Sequence, residues 1–221
     1  MTPYQTLVAA TTHDRESLTR IPLVIDALEG RMDRDRYLRF LSQAYHHVRQ
    51  TVPLLTACRD HLPAHLAWMR PAFEEYIAEE QGHEAWILDD IRAAGGDADA
   101  VRDGGPDHAA EVMVAYAWDQ IQRGNPVGFL GMVYVLEGTS VALALRAADQ
   151  IQRVTGLPDS AFTYLRSHGA LDVEHTDHFA TLVDGLDHEA DITAMVHAAK
   201  RFFRLYGDVF RDIRPEPAEA A

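Results

Sequence analysis

The chain has 221 residues, enough for one domain, or at most two small ones, with a full hydrophobic core. Its apolar content of 47% and charged content of 24% are those of an ordinary globular protein. A formal charge of −14 leaves no basic surplus to neutralise phosphates, which argues against nucleic acid and anionic membranes as partners.

One cysteine, Cys58, rules out an intramolecular disulfide framework and fits a reducing compartment, so a cytoplasmic location is expected. The N-terminus has no basic stretch followed by an apolar run and does not read as a secretory signal. Twelve histidines is a high count for this length and directs attention to possible ligands.

In chain order the sequence predicts helix throughout, in a single domain over 1–213. Thr2-Pro3 opens a short amphipathic segment carrying Tyr4, Leu7 and Val8. A second segment, about 20–29, ends at Gly30, a C-terminal stop signal. Asp33 then caps a long helix in which Tyr37, Leu41, Ala44, Val48, Val52 and Leu55 recur at helical spacing, with Pro53 expected to kink it. Pro63 restarts the chain, and Leu66, Met69, Phe73, Ile77, Ile87 and Ile91 carry a second long helix to Gly95-Gly96.

The stretch Asp97–Pro106 reads as a polar connecting loop. Asp107 caps a helix over 109–122, and Asn125-Pro126 gives an N-cap and first-turn pair for a long apolar helix that stops at Gly156-Leu157-Pro158. A helical segment over 159–184 and a final helix over 188–213 follow, and the tail Arg214–Ala221 is expected to be disordered. No alternating apolar and polar run between hairpin turns occurs, so essentially no sheet is expected.

Three clusters carry potential chemistry. His168, Asp172 and His175 stand at i, i+4 and i+7, within about 60° of one another on a helix. Two imidazoles and a carboxylate on one stripe suit iron, manganese or zinc. The competing reading is a solvated polar face, because Glu174, Asp177 and His178 lie close by. Glu137 is the only acidic or basic side chain between Val127 and Leu145. That run approaches membrane-span length, but the central glutamate favours a buried core helix. A carboxylate in such a core must be paired, protonated or metal-bound. It is read as a metal ligand or catalytic carboxylate, against the plainer reading of a neutral Glu hydrogen-bonded to a neighbouring helix.

Glu80-x-x-His83 places two further ligand types at i, i+3. A carboxylate-x-x-His pair occurring twice, with a lone Glu from another helix, approaches the recipe for carboxylate-bridged di-iron sites in helical bundles. That recipe wants one more carboxylate from a fourth helix. The helix after Asp33 supplies none beyond Asp35; its inward candidates are Gln43, His46 and His47. Tyr76, seven before His83, shares the face of Glu80 and His83; it reads first as a packed tyrosine and, beside iron, as a redox-active one. Cys58 has no activating neighbour in sequence and reads as an inert buried thiol.

These residues resemble a known group. FLSQAYHHV (40–48), VLEGTSVAL (135–143) and above all His168-x3-Asp172-x2-His175 are similar to segments of the haem-oxygenase-like superfamily, over almost the full length. That group includes thiaminase II (TenA), the pyrroloquinoline-quinone biosynthesis protein C and the di-metal oxidases that carry the His-x3-Asp-x2-His signature. The resemblance implies an all-α bundle of about seven to eight helices. It also implies a dinuclear iron or iron/manganese centre that reacts with O2.

By motif position it carries over His83, Glu137, His168, Asp172 and His175 as ligands, with Glu80 matching those members whose glutamate lies three before the histidine. Other members place it seven before, where this chain has Tyr76. A small organic substrate (a fatty acid, amino acid or aromatic) and a homodimer are the further implications. Two readings compete: a metal-independent enzyme of the TenA or quinone-biosynthesis type, and a non-catalytic protein that binds a small ligand.

Overall fold

The computed structural model describes residues 1–213, and for residues 170–175 it describes the backbone alone. Every regular element among the described residues is helical. Three short helices, α1 (Pro3–Ala10), α2 (Thr12–Thr19) and α3 (Pro22–Leu28), lead the chain. They are followed by α4 (Arg34–Val48), α5 (Thr51–His61), α6 (Arg70–Glu80) and α7 (His83–Ala93). Then come α8 (Ala98–Asp103), α9 (His108–Gln122), α10 (Leu130–Thr155), α11 (Thr163–Asp184) and α12 (Glu189–Asp212). Short 3-10 turns precede α6, α10 and α11.

The two long helices expected in the first half are each broken, and with the unexpected α2 and α8 the described residues hold twelve α-helices. Pro53 cannot tolerate the carbonyl four residues before it. Accordingly α4 ends at Val48 and α5 begins at Thr51, so the expected kink is a full break. The second break falls at Gln81-Gly82, where Gly82 has φ +91°, a left-handed conformation that glycine adopts without strain. The stretch expected as a loop, Asp97–Pro106, contains α8. The Asp97 carboxylate accepts the Ala100 N–H and so caps a helix too short and too polar to show a period.

The core is built where α10 packs against both α11 and α12, with α9 against α12 and α4 against α7. One face of α12 is buried through Met195, Ala199, Phe202, Tyr206 and Phe210. Helix α10 and the turn before it are long and apolar enough to cross a bilayer, but half of the most apolar stretch is buried inside the bundle. Its approach to α12 is set at Gly131. A methyl group there would lie 2.6 Å from the Ala199 backbone nitrogen and 2.9 Å from the Met195 carbonyl oxygen. Gly131→Ala would gain about 1 kcal/mol of helix propensity, but rigid backbone cannot yield as a side chain can. We expect a net stability loss of about 1–3 kcal/mol, read from the urea midpoint.

Candidate metal centre

Glu80 closes α6 and His83 opens α7, so the break at Gly82 lies between them. The sequence placed both on one helix face at i, i+3. The structure brings them together across a reversal of backbone conformation, with Glu80 Oε2 3.2 Å from His83 Nδ1 and both side chains buried. Trp86 stacks on the His83 ring at 4.0 Å and fixes its plane. His168 reaches the same point from α11. Its ring meets His83 edge-on at 5.0 Å and Tyr164 at 4.9 Å. Ligand atoms of Glu80, His83 and His168 all lie within 4.8 Å of one another.

Two ligands of a tetrahedral ion with bonds of about 2.1 Å stand about 3.4 Å apart, so the three side chains would have to close by up to about 1.4 Å to seat an ion. Two imidazole nitrogens and one carboxylate oxygen suit iron, manganese or zinc. The donor set therefore fits a divalent metal.

The placement of His168 is secured some distance away. Asp90 on α7 is fully buried, and its two carboxylate oxygens accept the backbone N–H groups of Thr163 (2.9 Å) and Tyr164 (2.8 Å), the first residues of α11. Burial pushes the Asp90 carboxyl up, and the two backbone hydrogen bonds oppose it. Tyr37 donates to the Ala161 carbonyl at 2.7 Å and stacks on Phe162, fixing the turn that feeds α11.

Glu137 is only half-buried, not sealed in the core, because α10 turns Gly138, Ala142 and Leu145 outward. It lines a cavity of about 70 Å³ together with Tyr76 and Glu80. The structure thus brings Tyr76, Glu80 and Glu137 to one space, while Glu137 stays outside the group of three ligand atoms. The side chains of Asp172 and His175 lie outside the described residues, as does the tail 214–221. His168 also lines a second cavity, of about 100 Å³. Its walls are mainly aliphatic, from Leu23, Met32, Leu136, Leu143 and Leu165, with Tyr164 and Tyr206 beside the imidazole.

The three inward candidates on α4 separate clearly. Gln43 is engaged, accepting the Asp107 N–H at 2.8 Å. His46 lies edge-on to Tyr45. His47 is 1% exposed, and neither ring nitrogen has a partner in hydrogen-bond geometry. Its sequence position was legible, but its dry surroundings are a product of tertiary packing. Burial, opposed by the Gln43 backbone carbonyl and aided by His168 and His46, lowers its pKa from 6.5 to about 4.

Between those values the unfolded chain binds the extra proton and the fold does not. Stability of the metal-free protein should therefore fall as pH drops from 6.5 to 4, by about 3 kcal/mol in total. Urea unfolding at pH 7 and pH 4.5 measures this, and His47→Phe should flatten the dependence.

Residues 38–207 match the family described as iron-containing redox enzyme. No curated protein matches the chain. A crystal structure from Shewanella denitrificans, a domain of unknown function with a haem-oxygenase-like fold, superposes with TM-score 0.84 at 21% identity, over 96% of this chain and 92% of that one. A TenA homologue from Pseudomonas syringae gives TM-score 0.78 at 11% identity, over 94% and 90%. A CADD-like protein of unknown function from Nostoc punctiforme gives 0.75 at 16% identity, over 96% and 95%. At these identities the likeness concerns the fold. Taken with the match over 38–207, it shows an all-α, haem-oxygenase-like chain that belongs to the iron-containing redox enzyme family.

Proposed function

We propose that this chain is an O2-dependent non-haem oxidoreductase that holds iron at Glu80, His83 and His168 and oxidises a small, largely apolar molecule. The observation that carries this is the meeting of those three side chains, one of which, His168, also lines a mainly aliphatic cavity. Bound iron would supply the one-electron chemistry with O2 that no side chain here provides.

The chain's own residues supply the rest. The Glu80 carboxylate offsets part of the metal charge in a buried site, and Trp86 holds the His83 ring in place. Because His168 belongs to both the ligand group and the cavity wall, a molecule in the cavity lies against the centre. The aliphatic walls exclude water and favour a hydrocarbon or aromatic body. Glu137, Asp172 and His175 are the proposed ligands of a second iron, or of manganese, and Tyr76 is placed beside Glu80 as the residue able to exchange an electron with the site.

Single-turnover O2 uptake tests this. Protein loaded anaerobically with Fe(II) should consume O2 far faster than the same Fe(II) in buffer, and His168→Ala should not. Equal rates would sink the reading.

The likeness to TenA homologues supports a second reading, a metal-independent enzyme in which buried histidines hold a polar ligand directly. A thiol nucleophile is not available to it. Cys58 is fully buried, its Sγ donates to the Pro126 carbonyl, and burial pushes the thiol well above its usual range. Retention of a bound small molecule by metal-free protein, lost in His47→Phe, would favour this second reading.

A further inference from the structure

We infer that the chain carries a binding site for a small organic carboxylate in the groove between α1, α2, α10 and α11, with Arg15 as its anion anchor. The groove has a volume of about 230 Å³ and lies outside the ligand group. Arg15 lines it, half-buried, and donates from Nη1 to the Tyr134 hydroxyl at 2.9 Å. That hydroxyl is in turn 3.3 Å from the hydroxyl of the fully buried Thr11. The guanidinium is therefore held in place by neutral hydroxyls.

Among the described residues no carboxylate forms an ion pair with it, in a chain with 34 acidic side chains against 20 basic ones. Two carboxylates act on Tyr4 at the groove: Asp184, which accepts the Tyr4 backbone N–H at 2.8 Å, and Asp177, which is exposed. Arg15 keeps N–H groups free on a rigid planar fork, the geometry that matches a carboxylate.

The rest of the groove decides what kind of anion fits. Val8, Leu18, Val141 and Phe203 form apolar walls. An inorganic anion would leave them uncovered, and a neutral hydrocarbon would leave the guanidinium unmatched. An anionic head with an apolar body satisfies both. Thr139 and Leu143 line this groove and also the cavity that His168 lines, so the two spaces adjoin at those residues. The inference does not depend on metal binding and is tested on metal-free protein.

Gly138 provides an independent handle. It lines the groove, and a methyl group added there meets nothing within 4 Å, so the backbone accepts a side chain at this position.

Isothermal titration of the metal-free full chain with octanoate and with octan-1-ol is the experiment, with thermal melts to confirm that each variant folds. Octanoate should bind the native chain about tenfold more tightly than octanol, the effect of one charge-assisted contact. Arg15→Gln should weaken octanoate by about tenfold or more while leaving octanol nearly unchanged, and Gly138→Leu should weaken both. The inference is overturned if octanoate does not bind, if octanol binds as tightly, or if folded Arg15→Gln binds octanoate as well as the native chain does.

Discussion

His83→Ala and His168→Ala are each expected to weaken Fe(II) binding by at least about a hundredfold, because losing an outer partner of a metal ligand alone costs roughly 10–100-fold. The two variants test different connections. His83 follows the Gly82 break directly and is stacked on Trp86, so its loss removes a ligand that local structure had already fixed. His168 arrives from α11, and its loss separates the apolar cavity from the ligand group. Glu80→Gln keeps the shape and removes the charge, and should weaken iron binding while leaving the fold intact. Equilibrium dialysis against Fe(II) under argon reads all three. Native affinity in either histidine variant would remove that residue from the site.

Asp90→Ala is expected to cost about 2–4 kcal/mol of stability although Asp90 touches no candidate ligand. The N–H of buried Tyr164 would be left unpaired at about 1–3 kcal/mol, the N–H of the more exposed Thr163 at less, and the helix N-terminus would lose its acceptor. Burial pushes the Asp90 carboxyl up, and the two hydrogen bonds offset part of that rise. Asp90→Asn keeps one acceptor oxygen and should lose about half as much. Because His168 lies one turn further along α11 from these contacts, the same variants should also weaken Fe(II) binding. Urea denaturation and dialysis measure the two effects. A stability change under about 1 kcal/mol would show that α11 is positioned by other contacts.

The helical periods, the caps at Asp33 and Asn125, and the absence of strands among the described residues could all be read from the sequence, since they depend on local spacing and local hydrogen bonds. The breaks were harder. Pro53 announced a disturbance, but not that α4 would end outright. The reversal at Gly82 depends on a glycine conformation that no periodicity encodes. Glu80 and His83 were legible as a pair because they stand at i and i+3, yet their meeting rests on that reversal.

Glu137 looked sealed in an apolar run. Only the packing of α10 shows that its neighbours Gly138 and Ala142 face outward and leave it half-buried. Arg15 gave no sequence signal at all. It sits in a short polar helix, and its significance comes from Tyr134, 119 residues away.

The most direct test of the central claim is an anaerobic Fe(II) titration of the metal-free native chain beside His168→Ala. At least one tightly bound equivalent is expected in the native chain, and a second where Glu137, Asp172 and His175 complete the dinuclear centre, with tight binding lost in the variant. A native chain that binds no Fe(II), or binds it as weakly as His168→Ala does, would contradict that claim.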